Sequence, residues 1–200
     1  MIALLLALTI VASTTPLEVV KNGNAEVQKI AALPDAQEKL AARADDFLDF
    51  AELARRALGK EWEKLKPAQQ ADFAQTMKVL LRASYASKAQ SEGKGKLVTE
   101  YGKEKVEGNE AVVGTTLVMN NDRFPVDYKL FRRDEKSPWK IYDVVTDSVS
   151  LVEAYQDQFR VLINTKGVDG LLSTLKSKRE KLEKKVADAK ATGAATVGVK

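Results

Sequence analysis

A change of hydrophobic period within residues 139–170 constrains the fold of this chain more than any other feature. Residues 139–145 are dense in aromatic and β-branched side chains, which is typical of a buried strand. Leu151, Val152, Tyr155 and Phe159 then recur at three- and four-residue spacing, as on one side of an amphipathic helix. A strand that continues directly into a helix lets that helix pack back across its own sheet. The sequence therefore predicts helix on sheet, with either a solid core or a binding cavity between them.

Three more strand candidates precede this one, so that strands are predicted over residues 97–107, 110–120, 124–133 and 139–147. The connections are short and rich in turn residues, which favours antiparallel hairpins in sequence order. Alternation on the second and third strands gives one mainly apolar face: Ala111, Val113, Thr115, Leu117, Met119, Val126, Tyr128 and Leu130. The opposite face of the third strand carries Asp127 and Lys129. One side of the predicted meander is therefore dry and the other wet.

Helical patterns flank the strands. Residues 16–33 have an apolar stripe interrupted by Gly23, a second helix restarts at Pro34-Asp35, and Asp45-Asp46 is expected to cap or open the next. That helix should end at Gly59, and Pro67 should open a long one. The order predicts an α+β fold: a four-stranded curved antiparallel sheet covered on one face by helices, NTF2-like or cystatin-like in appearance.

The two ends of the chain differ from this middle. Residues 1–15 hold a short apolar run followed by small residues, as in a secretory signal peptide. Residues 16–176 then form the predicted single domain. Residues 177–200 are expected to be a basic helical extension with a flexible tail, since Lys and Glu dominate before a Gly- and Ala-rich end.

Composition excludes several kinds of chemistry. The chain has no cysteine and no histidine, which removes Cys/His nucleophilic catalysis, His-ligated zinc and the lipoprotein anchor cysteine. The net charge of +4 is too small to indicate nucleic acid, and it is concentrated at the C-terminus. From residue 174 onward eight Lys or Arg face three Asp or Glu, which leaves the rest of the chain close to neutral. Interleaved acids there favour a solvated helix face, with weak attraction to an anionic membrane as the alternative.

The best catalytic pairing available is Tyr128 with Asp143, which could act as acid and base if they share a face of the sheet. A buried tyrosine and a hydrogen-bonded aspartate explain the same residues without catalysis.

Two groups of residues, in order and spacing, resemble the opening and closing signatures of the MlaC, or toluene-tolerance, family. The first group is Asp49, Phe50, Ala54, Arg55, Arg56, Ala57, Leu58, Gly59, Lys60, Glu61, Trp62, Gln70, Phe73, Leu80, Leu81 and Tyr85. The second is Trp139, Tyr142, Asp143, Val144, Val149, Ser150, Leu151, Val152, Tyr155, Phe159, Gly167, Asp169, Gly170, Leu171 and Leu175. One departure is Asp147-Ser148, where the family usually has Glu-Gly.

The resemblance implies a soluble, periplasmic, monomeric carrier of glycerophospholipid that supports outer-membrane lipid asymmetry. Such carriers shuttle lipid between an inner-membrane Mla ABC-transporter complex and an outer-membrane Mla lipoprotein complex. It implies no enzyme activity, no nucleic acid, and no cofactor apart from bound phospholipid as cargo. An isomerase or dehydratase of NTF2-like form, using Tyr128 and Asp143, is the enzymatic alternative. An interaction protein working through its basic C-terminal helix is the other.

A lipid cargo requires a dry slot, because two acyl chains of about sixteen carbons exchange roughly 20–25 kcal/mol with water. We expect a slot of about 1,000 Å³ between the sheet and the helices. The residues expected to contact lipid are Leu53, Leu58, Met77 and Leu81 on the helices; Val113, Thr115, Leu117, Val126, Tyr128, Leu130, Ile141, Val145 and Val149 on the strands; and Tyr155 and Phe159 on the helix after the sheet.

Overall fold

The computed structural model describes residues 14–33, 35–92, 97–119 and 122–191. Within these ranges the helices are α1 (Pro16–Ala31), α2 (Ala36–Arg43), α3 (Phe50–Leu58), α4 (Pro67–Glu92) and α5 (Leu151–Ala191). The strands are β1 (Leu97–Glu107), β2 (Glu110–Met119), β3 (Asp122–Phe131), β4 (Lys140–Thr146) and β5 (Val149–Ser150). The predicted signal segment lies almost wholly outside the described residues. None of the described helices is both long and apolar enough to cross a bilayer.

The α+β prediction is confirmed, with one more strand than expected. All neighbouring strands are antiparallel in the order β1-β2-β3-β4-β5. The added β5 is two residues long and pairs with the end of β4 through Val145–Ser150 and Thr146–Val149. The register of β1 shifts between Tyr101 and Glu104. Gly102 lies in this irregular part, where a Cβ atom would lie 2.9 Å from the carbonyl oxygen of Gly114, so the two backbones approach closely.

Helix starts and stops follow local capping chemistry. Thr15 caps α1 in a reciprocal capping box with Glu18, and Pro16 occupies the first turn. The predicted cap at Asp45-Asp46 is wrong: these residues lie in a short 3-10 turn, and the Asp49 carboxylate accepts from the Glu52 amide to cap α3. Gly59 ends α3 with a positive φ of 60°, as expected.

Helix α5 is long and bent at one position. Gly167 has φ 69° and ψ 177°, which breaks the helical path. Both parts contact α4: Phe159 of the first part packs on Phe73, and Arg179 of the second part donates to Thr76. Val168 therefore begins the second part of α5. Gly23, in contrast, does not interrupt α1, which is continuous.

The interior divides into two clusters of buried side chains. A helical cluster joins α3, α4 and α5 with Tyr142 of β4. A sheet cluster joins Val20 of α1 to one face of β2, β3 and β4. Leu48, just before α3, packs against both clusters. Its backbone runs beside β4, where Ile141 exchanges hydrogen bonds of 2.8 Å with Phe47 and Asp49.

Candidate functional site

Cross-strand pairing places the predicted apolar residues on one continuous surface, called the inner face here. It is formed by the paired rows Ala111–Leu130–Ile141, Val113–Tyr128–Val144, Thr115–Val126–Thr146 and Leu117–Phe124. Val113 and Leu130 are fully buried, and Val126 and Ile141 nearly so. The one buried hydroxyl in these rows, that of Thr115, donates to the Val126 carbonyl at 2.9 Å. Within these rows the inner face is therefore apolar and its buried hydroxyl is satisfied, whereas the hydroxyl of Thr99, the β1 partner of Leu117, is buried without a hydrogen bond.

Helix α1 covers the centre of the inner face. Val20 is 1% exposed and packs in the sheet cluster, with Leu17 beside it. Hydrogen bonds hold α1 on either side of Val20. The Leu17 amide donates to Glu104 at 2.8 Å, and the Tyr128 hydroxyl donates to Asn24 at 3.2 Å. The sequence showed the apolar stripe of α1 but gave no sign of which surface it covers.

One end of the inner face is open. Leu117 is half-buried, and its partner Phe124 is 40% exposed although it is aromatic. Both lie beyond the sheet cluster that α1 covers. The apolar surface therefore runs from a closed centre to an exposed lip.

The predicted helical roof belongs to the other cluster. Leu53, Leu58, Met77, Leu81 and Phe159 are buried together, with Tyr155 packed against them. The Phe159 ring meets Phe73 edge-on at 5.7 Å and Tyr155 at 5.7 Å. These residues share one hydrophobic environment but do not directly cover the inner face. Leu48 is where their cluster and the inner face meet.

Two of the candidate strand residues lie apart from the rest. Ile141, Val145 and Val149 are all among the residues expected to contact lipid. The register shifts between Lys129 and Leu130 against β4, so that Ile141 and Val144 lie on the inner face and Val145 pairs with Asp127 on the other. Val149 is 58% exposed beside the turn between β4 and β5. Val145 therefore faces away from the other candidate residues, whereas Val149 shares the face of its partner Thr146 at the exposed end of the inner face.

Tyr128 and Asp143 do not form an acid–base pair. Tyr128 pairs with Val144 on the inner face, whereas Asp143 pairs with Lys129 and lies on the other side of the sheet. The Asp143 carboxylate accepts from the Ser150 hydroxyl at 2.6 Å and from the Val152 amide at 3.0 Å, and it lies 3.1 Å from the Lys129 ammonium. Its partners identify it as an anchor for the start of α5, since the amide it accepts from belongs to the first turn.

A charged cluster joins α3 to the sheet. The Arg56 guanidinium lies 3.8 Å from the centre of the Tyr142 ring, donates to Glu52 at 2.6 Å and pairs with Glu110. Burial raises the pKa of Tyr142 to about 12 although Arg56 opposes the change, so the phenol stays neutral. Arg56 was singled out by its motif, but not as the link between the two layers.

Small cavities open at the surface of the described part of the chain. A cavity of 280 Å³ lies beside Asp49, Phe50 and Lys78, and one of 350 Å³ surrounds Gly102 and Gly114. Both are much smaller than the predicted slot. At the centre of the inner face, side chains such as Val20 fill the space instead.

These features define an α+β protein whose curved sheet presents an apolar inner face to a covering helix. The chain belongs to the MlaC protein family, whose model matches residues 12–177. A relative from Haemophilus influenzae, the intermembrane phospholipid transport system binding protein MlaC, is 25% identical over 136 residues, or 66% of this chain. The matched region spans 64% of that relative's length.

A solved structure has a similar fold. It is the phospholipid-binding protein from Ralstonia solanacearum in complex with a phospholipid. The two structures match with a TM-score of 0.72 and 24% identity over 86% of this chain and 99% of that one. The likeness shows that the arrangement of sheet and helices described above is the fold of that protein.

Proposed function

We propose that this protein is a periplasmic phospholipid carrier that holds acyl chains against the inner face. The proposal rests mainly on the inner face. Its apolar side chains lie in register across β2, β3 and β4 and end in an exposed lip at Leu117 and Phe124. Family membership supports the proposal, as does the phospholipid bound to the similar Ralstonia protein. The chain would serve lipid transport without catalysis.

Apolar burial supplies the affinity. Two chains of about sixteen carbons bring roughly 20–25 kcal/mol of transfer free energy, far more than holding the chains in order costs. The lip at Phe124 gives the chains a way in while the phosphate headgroup stays in water, which avoids burying an unpaired charge.

Loading requires α1 to move. Its residues Leu17 and Val20 pack on the surface that acyl chains would use, and hydrogen bonds to Leu97, Tyr101, Glu104 and Tyr128 hold it there. Displacing α1 exchanges one apolar contact for another, so the net cost is small compared with that of exposing the sheet. Parting the Leu48 contact would join the inner face to the helical cluster of Met77, Leu81 and Phe159 and enlarge the site.

Family membership supports a proposal for the partners. We propose that the carrier works as a monomer, receives or delivers lipid at the outer-membrane Mla lipoprotein complex, and exchanges it with the inner-membrane Mla ABC-transporter complex. It would need no nucleic acid and no cofactor. Catalysis by Tyr128 and Asp143 is not part of the proposal, because the two side chains lie on opposite faces of the sheet.

The test uses neighbouring residues of β2. Purified protein extracted with organic solvent should release glycerophospholipid, detected by mass spectrometry. Leu117→Asp puts a carboxylate on the inner face and should abolish lipid retention. Val118→Asp is the matched control, since Val118 is equally half-buried but pairs with Val98 and Arg123 on the outer face.

The outcomes separate the site from the function. Equal lipid in the two variants, with unchanged circular dichroism, would contradict the inner face as the site. Wild-type protein that carries no lipid and takes none from liposomes would overturn the carrier function.

A further inference from the structure

The second part of α5 continues past the region that matches the family model. The family match ends at residue 177, but the helix runs on to Ala191. Residues 176–191 contain seven Lys or Arg and three Asp or Glu, a net charge of +4. At 1.5 Å per residue this segment, called the basic extension here, is about 24 Å long.

The inner side of the basic extension is fixed on α4. Arg179 donates to the Thr76 hydroxyl at 2.8 Å and to Asp72 at 3.1 Å, and its side chain is largely buried. Leu175 is buried in the helical cluster just before it. These contacts fix the rotation of the helix, and with it the direction of every other side chain.

The outer side carries the lysines. At 100° per residue, Lys178, Lys181 and Lys184 fall with Lys185 within an arc of about 120°, and Glu180 and Glu183 fall outside it. Glu183 lies on the side of Arg179, 3.9 Å from its guanidinium. Asp188 is the one acid within the arc. Lys176 falls outside the arc, so the separation of charge is partial: four of the five lysines of residues 176–185 lie on the outer side, and both glutamates lie off it.

The three leading lysines are available to a partner. Lys178, Lys181 and Lys184 are exposed, and within the part of the chain that the structure describes none of them forms an ion pair. The arc contains no large apolar side chain, since Leu182 and Val186 lie on the side of Leu175. A surface of this kind is attracted to an extended negatively charged surface but does not insert into it.

We propose that the basic extension docks the protein on anionic phospholipid bilayers. Lysine ammonium groups are strongly hydrated point charges, suited to a diffuse lipid surface rather than to bidentate recognition of single carboxylates. The row from Lys178 to Lys185 rises about 10 Å along the helix, so its ammonium groups contact more than one headgroup at once. The purpose of this docking rests on the proposed carrier function, but vesicle binding is measured independently of lipid cargo.

The experiment is flotation of the full chain with vesicles. Neutral vesicles contain phosphatidylcholine alone, and anionic vesicles replace about 30% of it with phosphatidylglycerol. Wild-type protein should float with the anionic vesicles only, and added salt should release it. The variant K178Q/K181Q/K184Q should lose about ten- to one-hundred-fold in partition coefficient.

A charge-matched control separates position from net charge. K29Q/K60Q/K103Q removes three exposed lysines from the body of the protein and should bind anionic vesicles like wild type. Equal loss in both variants, or wild-type protein that stays unbound, would overturn the proposal; in the second case an acidic protein becomes the partner. Lipid extracted from each variant should be unchanged, so that failure of docking and failure of the carrier function give different results.

Discussion

The Asp143 carboxylate accepts a 2.6 Å hydrogen bond from the Ser150 hydroxyl across the turn that joins β4 to β5. The same carboxylate accepts from the Val152 amide, and Ser150 Oγ accepts from the Glu153 amide. Two side chains thus satisfy the first free amides of α5 and fix the angle at which that helix leaves the sheet.

Removing this anchor should be costly. Asp143→Ala leaves the Ser150 hydroxyl and the Val152 amide without their partner at a site that is 1% exposed. We expect the free energy of unfolding to fall by about 3 kcal/mol, measured by urea denaturation. Asp127→Ala is the control. Asp127 lies on β3, on the same face of the sheet as Asp143, but it is exposed, so its loss should change stability by less than about 0.5 kcal/mol. Equal losses would show that Asp143 is no more than a surface charge.

Replacing Arg56 by lysine should lower the stability of the protein. Its planar guanidinium contacts the Tyr142 ring and both Glu52 and Glu110, a geometry that an ammonium cannot reproduce. Arg56→Lys should lower the free energy of unfolding by about 1–2 kcal/mol in urea denaturation. Arg55→Lys, at a more exposed arginine that shares Glu52, should cost less than about 0.5 kcal/mol. If both substitutions are equally mild, the stacked contact contributes little.

Glu52 should make the free energy of unfolding depend on pH in the acidic range. Burial raises the pKa of Glu52, but the hydrogen bonds from Arg55 and Arg56 together outweigh it, so the pKa lies below its ordinary value of 4.5. A lowered pKa in the folded state means that the contribution of Glu52 is complete above the unfolded value and is lost as pH falls through the folded one.

The variant Glu52→Gln tests this dependence. The difference in unfolding free energy between wild type and Glu52→Gln should be largest near neutral pH and shrink between about pH 5 and pH 3, measured by urea denaturation at each pH. Glu153→Gln, on the exposed side of α5, should show no comparable trend. A difference that is constant with pH would show that Glu52 acts only through packing.

Much of the fold could be predicted because periodicity reports directly on which face of an element is buried. The four main strands and the inner face from Ala111 to Leu130 follow from strict alternation. Alternation fails for Val145 because a single register irregularity near Lys129 reverses the faces beyond it, and nothing in the local composition marks it.

The partner of an amphipathic helix is harder to predict than the helix. The stripe of Leu17 and Val20 in α1 fits any apolar surface, and only the tertiary structure assigns it to the sheet rather than to α4. For the same reason the sequence predicted that Met77 and Leu81 would cover the sheet. In the structure they pack with Phe159 in the helical cluster. Which residues contact lipid stays a prediction.

The turn between β4 and β5 shows what the departure from the family pattern at Asp147-Ser148 costs. Both residues have positive φ, 50° and 64°, as the central residues of a type I′ hairpin turn do. Aspartate tolerates this conformation, whereas serine adopts it at a cost of about 1 kcal/mol. The glycine usual in the family at the second position fits the geometry without that cost.

Ser148→Gly should therefore stabilise the protein. We expect the free energy of unfolding to rise by about 0.5–1 kcal/mol in urea denaturation, since relief of strain exceeds the extra entropy of glycine in the unfolded chain. Gly108→Ala is the reverse control: Gly108 has φ 61° in the β1–β2 turn with open space around it, so alanine should cost about 1 kcal/mol through backbone strain alone. A loss of stability in Ser148→Gly, with Gly108→Ala destabilised as expected, would mean that Ser148 contributes a contact worth more than the strain it imposes.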